Sequence, residues 1–234
     1  MKAIYKRDLR AYFTSPLGYV FIAAFLLIVN AVFYITNIQQ ATNNLGGVSQ
    51  MMLYALIIVV PLLTMRTISE DYKQKTDQLL LTAPVRASGI VLGKFFAAYT
   101  VFVIALALTF IQVIIVAIFG TPNMGSVFGN YIAILAAAAV YISIGVFVSS
   151  LTENQFIAAI ASLGIFVGVF LIDFAYSLVK TEWLKAVLYW VSIFRRFNTF
   201  YMGVFSVADF IYYISVTAIF VFLTVRMIER KRWL

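Results

Sequence analysis

Six long apolar runs constrain this chain more than any other feature of its sequence. A helix needs about 20 apolar residues to cross a hydrocarbon core of roughly 30 Å, and these runs approach or exceed that length. The runs are Leu17–Thr36, Met51–Met65, Val91–Phe119, Val127–Leu151, Phe156–Val179 and Asp209–Met227. The sequence therefore predicts an all-α membrane protein with six transmembrane helices.

The composition excludes most kinds of catalytic chemistry. Of 234 residues, 64% are hydrophobic and only 11% are charged, whereas a soluble domain carries about 25% charged residues. The chain has no cysteine and no histidine, which excludes disulfides, the usual zinc ligands and imidazole acid–base chemistry. We therefore expect no catalytic residue and no metal site. The net charge is +8, and the basic residues flank the apolar runs. This placement favours membrane lipid over nucleic acid as the partner of the chain.

The basic residues predict how the chain is oriented, since cytosolic loops are rich in lysine and arginine. If all six runs are spans, thirteen basic residues lie on one side and four on the other. The thirteen are Lys2, Lys6, Arg7, Arg10, Arg66, Lys73, Lys75, Arg86, Lys94, Arg226, Arg230, Lys231 and Arg232. The four are Lys180, Lys185, Arg195 and Arg196. We expect a multi-pass protein of the bacterial cytoplasmic membrane with both termini in the cytosol. The first run is too long for a signal peptide and is expected to remain as the first span.

Residues 1–15 form an imperfect amphipathic pattern. Lys2, Lys6 and Arg10 recur every four residues, and Asp8 interrupts the pattern. This period favours an N-terminal interfacial elbow helix at the inner membrane surface. The alternative is a charged flank that only sets the topology.

The segment 66–90, between the second and third runs, is the longest polar stretch. It contains a mixed-charge helical surface, followed by an apolar tip at Leu79–Leu81 and a helix end at Thr82–Pro84, because the residue before proline is disfavoured in a helix. We predict a cytosolic helix here between spans two and three.

The segment 180–208 predicts short re-entrant helices on the outer side between spans five and six. It is interrupted but rich in aromatic residues, which are Trp183, Tyr189, Trp190, Phe194, Phe197, Phe200, Tyr201 and Phe205. An irregular backbone at membrane depth must lie against protein or a wet cavity. An aromatic belt at the interface is the alternative, and both interpretations can hold.

Some residues within and beside the spans have more than one interpretation. Gly164 and Gly168 form a GxxxG pattern, and Ala133 and Ala137 form a weaker version; the glycines indicate either packing inside the bundle or a dimer face. Asp173 is an intramembrane carboxylate, either a functional group or a side chain that reaches the interface. The pair Arg195–Arg196 predicts contacts with lipid headgroups, with an anionic substrate as the alternative.

Four short motifs resemble the signature of bacterial ABC transporter type-2 permeases. They are Glu70, then Lys75-Thr76-Asp77-Gln78-Leu79-Leu80, then Ala83-Pro84-Val85, then Gly93-Lys94-Phe95. Lys75 replaces the glycine that is usual in the broad family. The resemblance implies an elbow helix, a coupling helix between spans two and three, and two permease subunits that pair with two ATP-binding subunits. ATP and Mg²⁺ would then be bound by the partner subunits, with no cofactor in this chain.

Two further stretches resemble the GldF-like permeases, which are named for gliding motility. They are the opening Arg7–Tyr19 and the outer motif Phe197, Phe200, Gly203, Asp209 and Tyr212. Met202 and Ser206 depart from that family, which often has a basic and an acidic residue there. The resemblance implies a second permease subunit, identical or homologous, and an accessory subunit with an extracytoplasmic domain.

These observations predict one permease domain over residues 1–234, of exporter type, moved by a separate ATPase subunit. We expect the contact with the ATPase to combine an apolar tip with a charged rim. Its residues would be Glu70, Asp71, Lys73, Lys75, Thr76, Asp77, Leu79, Leu80, Leu81 and Pro84. The alternatives are an ion-coupled secondary transporter that uses Asp173 and a non-transporting membrane scaffold or sensor.

Overall fold

The described part of the chain is helical and contains no strand. The computed structural model describes residues 1–76, 86–179, 181–201 and 206–232. The helices are α1 (Lys2–Thr14), α2 (Pro16–Phe33), α3 (Gly46–Thr64), α4 (Ser69–Lys73), α5 (Ala87–Leu108), α6 (Phe110–Phe119), α7 (Met124–Leu151), α8 (Gln155–Leu178), α9 (Glu182–Val191), α10 (Ile193–Tyr201) and α11 (Val207–Arg232). A π-helical turn, Tyr34–Ile38, extends α2.

Six helical segments are long and apolar enough to cross a membrane, which confirms the predicted number of spans. They are Pro16–Ile38, Gly46–Lys73, Ala87–Phe119, Met124–Leu151, Gln155–Leu178 and Val207–Lys231. The second span begins earlier than predicted, because residues Gly46–Gln50 join the helix despite their polar and small side chains. The third span is interrupted at Thr109, where the amide donates to Leu106 in a tighter turn, N···O 3.1 Å.

Local signals explain where several helices begin. Pro16 occupies the first turn of α2, and Ser15 before it is extended, as the residue before proline prefers. Asn123 and Asn154 cap α7 and α8, because each side-chain oxygen accepts a backbone amide of the first turn. The Asn154 cap makes a tight turn between α7 and α8.

Helix α7 is the centre of the bundle and packs against α3, α5, α8, α10 and α11. Ala133 and Ala137 of α7 are fully buried, so this weaker small-residue pattern packs inside the chain. At Gly145 the approach is closer still, because a Cβ there would lie 2.2 Å from Thr64 Oγ1 of α3. Small residues on α7 therefore let its neighbours approach its backbone.

Gly164 and Gly168 behave differently. A Cβ built on either glycine would have no atom within 4 Å, so among the described residues they bring no two helices together. The expectation that they pack inside the bundle is wrong for this part of the chain, and the dimer face stays a prediction. Only 17% of the most apolar part of Gln155–Leu178 is buried, against 78% for Met124–Leu151.

Candidate functional site

The polar segment after α3 is anchored to the central helix. The backbone amides of Ile68 and Ser69 both donate to Ser149 Oγ of α7, at 3.1 Å each. Ser149 is fully buried, so in this conformation the start of α4 is held against the bundle. Helix α4 (Ser69–Lys73) lies in the predicted segment 66–90, at the end of the apolar segment Gly46–Lys73.

Helix α4 ends in a tight turn, and Lys75 occupies the position in it where glycine is usual. The amide of Thr76 donates to Asp71 O at 3.0 Å and that of Lys75 to Tyr72 O at 3.1 Å, the hydrogen-bond pattern of a Schellman motif. Lys75 has a φ of 57°, in the left-handed region that favours glycine. The lysine that departs from the resembled family therefore stands where glycine is favoured for a physical reason.

Asp71 faces the interior of the protein. Its Oδ1 accepts a hydrogen bond from Thr76 Oγ1 at 3.0 Å, and its Oδ2 lies 2.6 Å from Lys94 Nζ and 3.6 Å from Arg7 Nη2. One carboxylate thus joins the turn after α4 to the first turns of α5 and to α1.

Lys94 is the centre of this group, which we call the inner charge cluster (Arg7, Asp8, Asp71 and Lys94). Its side chain is 5% exposed, and Nζ lies 3.2 Å from Asp8 Oδ2 of α1 and 2.6 Å from Asp71 Oδ2. Nζ also donates to the carbonyl of Thr67. Nζ thus lies at ion-pair distance from two carboxylates and donates to one carbonyl, each on a different part of the chain.

Arg7 completes the cluster on the more exposed side. Its Nε lies 2.7 Å from Asp8 Oδ1. Burial alone would lower the pKa of Arg7, but the hydrogen bond to Asp8 and the charges of Asp8 and Asp71 outweigh it and raise that pKa. Asp8, which interrupts the amphipathic pattern of α1, is therefore the residue that connects α1 to Lys94.

Helix α1 is also packed closely on the bundle. Tyr12 Oη donates to Leu63 O of α3 at 3.0 Å, and Tyr5 Oη lies 3.0 Å from Thr100 Oγ1 of α5. A Cβ on Gly93 would lie 3.2 Å from Ile4 Cγ2, so α1 rests directly against the backbone of α5. Burial raises the pKa of the Tyr12 phenol. The predicted N-terminal helix is present, and its place at the membrane interface stays a prediction.

A cleft of about 470 Å³ opens between α1 and residues 66–76. Arg66 and Glu70 line it and pair with each other, with Nε 2.8 Å from Oε2. Gln74 also lines it, and Lys73 and Lys75 are exposed beyond it. The other predicted coupling residues, Asp77, Leu79, Leu80, Leu81 and Pro84, lie outside the described residues.

A second charged group, which we call the outer arginine cluster, consists of Asp173, Arg195, Arg196 and Asp209. Asp173 Oδ1 of α8 lies 2.9 Å from Arg195 Nε and accepts a hydrogen bond from Ser192 Oγ at 3.2 Å. The intramembrane carboxylate thus has a basic partner 22 positions later, on the outer helices.

Arg196 is buried, so the expectation that it contacts lipid headgroups is wrong. Its Nη1 lies 2.7 Å from Asp209 Oδ1 of α11, and the two side chains are 4% and 6% exposed. The guanidinium lies 4.1 Å from the centre of the Tyr212 ring and 5.0 Å from the Trp190 ring. An aromatic enclosure of this kind stabilises a cation.

The predicted outer motif is brought together around this pair, apart from Gly203, which lies outside the described residues. Phe197 and Phe200 are buried, and Asp209 and Tyr212 contact Arg196. Tyr213 Oη further donates to Ile193 O at 2.8 Å. The helices predicted between spans five and six are present as α9 and α10, and whether they re-enter the membrane stays a prediction.

The pattern of the inner charge cluster was missed by sequence reasoning. In the sequence, Lys94 counts toward the cytosolic charge and belongs to a Gly-Lys pair, and Asp8 interrupts the pattern of α1, but no motif joins the two. A buried carboxylate and a buried ammonium are each unfavourable without a partner of opposite charge. The acid on the amphipathic helix and the lysine inside an apolar run could therefore have indicated that the two residues pair.

Comparison with known proteins adds a family assignment. The family described as ABC-2 family transporter protein matches residues 2–228. A search of curated proteins found no match.

Proposed function

The chain belongs to the ABC-2 family of transporter proteins, and on that premise we propose that a separate ATPase subunit drives it through the segment between its second and third spans. The family and the six apolar helices identify a membrane permease component of an ABC transporter. The finer proposal is an exporter-type permease, GldF-like, in the bacterial cytoplasmic membrane with both termini in the cytosol.

The observation that carries this proposal is the construction of residues 66–76. Their base is held by Ser149 and Lys94, while Lys73 and Lys75 are exposed. A segment that contacts the bundle at its base and is exposed at Lys73 and Lys75 is suited to pass a displacement to the bundle. Buried apolar anchors dominate docking and charges at the rim tune it, so Leu79–Leu81 would provide the anchor and Lys73 and Lys75 part of the rim.

The complete transporter would contain two ATP-binding subunits, which hold ATP and Mg²⁺, and two permease subunits, identical or homologous. The open face of α8 around Gly164 and Gly168 supports the second permease subunit as its partner, since small residues allow close helix contact. An accessory subunit with an extracytoplasmic domain would contact the outer side.

The mechanism is a shift between two conformations. Closure of the ATPase dimer on ATP would push residues 70–84 and favour one arrangement of the bundle over the other. The energy comes from the partner, and this chain converts it into movement of helices.

Two alternatives make different predictions. An ion-coupled transporter needs an ionisable group that is free to titrate, but Asp173 is paired with Arg195, which favours a structural role. Proton-driven transport that is lost in Asp173→Asn would support that alternative. A scaffold or sensor would form a complex whose ATPase activity no substrate changes.

The test is copurification from native membranes. We expect Leu79→Asp with Leu80→Asp to abolish copurification of an ABC ATPase with the tagged chain, because two carboxylates would replace the apolar anchor. The matched control, Leu79→Met with Leu80→Met, keeps an apolar surface of similar volume and should retain the ATPase. Equal recovery of the ATPase with both variants would contradict the proposal.

A further inference from the structure

We propose that Lys94 is a positioning residue that makes α1 and α4 move as one body when the ATPase acts. This inference rests on the proposed function, because it names the contact that passes the displacement of the coupling segment to the N-terminal helix. It assigns α1 a part in coupling, beyond that of a membrane anchor.

The first observation is the place of Lys94 between the two helices. Its Nζ lies 2.6 Å from Asp71 of α4 and 3.2 Å from Asp8 of α1. Its own backbone belongs to α5. A displacement of α4 moves the Asp71 carboxylate, and the ammonium must either follow it or leave one of two carboxylates without its main partner.

The second observation is that Asp71 has no easy substitute for Lys94. The side chains of Asp8 and Asp71 are only 14% and 15% exposed. Among the described residues, Arg7 is the other cation that pairs with them, at 2.7 Å from Asp8 of its own helix and 3.6 Å from Asp71. Separating α1 from α4 would therefore leave a mostly buried negative charge with weak compensation, which is unfavourable.

The third observation is that α1 can transmit what it receives. Ser15 alone separates it from α2, whose first residue is Pro16. A Cβ on Gly18 would lie 2.6 Å from Tyr12 O, so the end of α1 and the start of α2 are in direct contact. A displacement of α1 therefore reaches the first span without a flexible linker.

Lysine suits this task better than arginine. Its ammonium is a compact charge whose donors serve acceptors in different directions, whereas the arginine fork is planar and matches one carboxylate. Lys94 serves two carboxylates and the Thr67 carbonyl at once.

The test measures two distances in the complex with its ATP-binding subunits. The chain has no native cysteine, so pairs of introduced cysteines can carry spin labels alone. One pair, Lys6→Cys and Lys73→Cys, reports on α1 against α4. The other, Lys73→Cys and Glu153→Cys, reports on α4 against the inner turn between α7 and α8. Both distances are recorded without nucleotide and with a non-hydrolysable ATP analogue, in the parent chain and in Asp8→Asn.

We expect the nucleotide to shift the 73–153 distance in both backgrounds. The 6–73 distance should stay constant in the parent chain and should shift in Asp8→Asn, where one arm of Lys94 is lost. Asp8→Glu, which keeps the carboxylate, should restore the constant distance. Arg10→Gln is the matched control, since it removes an exposed charge from α1 without contact to Lys94.

Three results would overturn the inference. A 6–73 shift in the parent chain would show that α1 and α4 move separately, although the coupling segment itself moves. A constant 6–73 distance in Asp8→Asn and also in Lys94→Gln would show that packing alone joins the helices. Absence of any 73–153 shift in the parent chain would refute the proposed coupling itself, and the inference would fall with it.

Discussion

The inner and outer ends of this bundle are both joined by charged side chains, but in different ways. In the inner charge cluster, one lysine serves two carboxylates and a carbonyl beside a cleft of about 470 Å³. In the outer arginine cluster, each of two consecutive arginines has its own carboxylate. Arg196 is in addition enclosed by the rings of Tyr212 and Trp190.

This difference indicates which end is built to move. A lysine ammonium can rearrange among several acceptors, whereas a guanidinium that pairs with a carboxylate and stacks on rings has one favoured geometry. Arg195 reaches α8 and Arg196 reaches α11 from one turn of α10. The ends of the last two spans on this side of the bundle are thus held together.

The largest expected effect is on stability at the outer end. Asp209→Ala should lower the free energy of unfolding by about 3–5 kcal/mol, because the buried Arg196 would lose its counter-charge. Asp8→Ala should cost only about 1 kcal/mol, since Lys94 and Arg7 keep Asp71 as a partner and Arg7 is 45% exposed to water. Denaturation of the purified protein in mixed micelles would measure both values.

Equal losses of unfolding free energy in Asp209→Ala and Asp8→Ala would contradict the proposed difference between the two ends of the bundle. Arg226→Ala serves as a control for the loss of an exposed ion pair, because Arg226 is 65% exposed and pairs with Glu229. It should change the free energy of unfolding by less than about 0.5 kcal/mol.

The smallest expected effect concerns the turn after α4. Lys75→Gly should stabilise the protein by roughly 0.5–1 kcal/mol, because glycine adopts a positive φ without the steric cost that lysine pays. Lys75→Ala removes the same charge but keeps the Cβ, so it should give no gain. A gain of equal size in both variants would attribute the effect to charge and would contradict the backbone explanation.

The spans and the short helices could be predicted because they depend on local sequence. Six apolar runs determine six spans, and the interrupted aromatic segment 180–208 indicates short helices between the last two. The predicted starts of the helices were less accurate. Gly46–Gln50 joins α3 because tertiary packing buries Gly46, Val48 and Ser49 there, against what their propensity favours.

The charge pairs that join different helices could not be predicted, since their residues are distant in sequence. Lys94 meets Asp8 from 86 positions away, and neither residue stands in a motif that points to the other. The sequence also could not decide whether a small-residue pattern packs inside the chain or faces outward. Ala133 and Ala137 pack inside the chain, whereas the stronger pattern at Gly164 and Gly168 faces outward, because the placement of α7 and α8 in the bundle decides which pattern finds a neighbour.

The central claim is that ATP moves the inner end while the outer ends of the last two spans stay together. The direct test compares two spin-label distances in the complete complex, Lys73→Cys with Glu153→Cys inside and Leu178→Cys with Val207→Cys outside. All four positions are exposed. The account predicts that an ATP analogue shifts the inner distance and leaves the outer distance unchanged. An outer distance that shifts as much as the inner one, or an inner distance that does not shift, would contradict it.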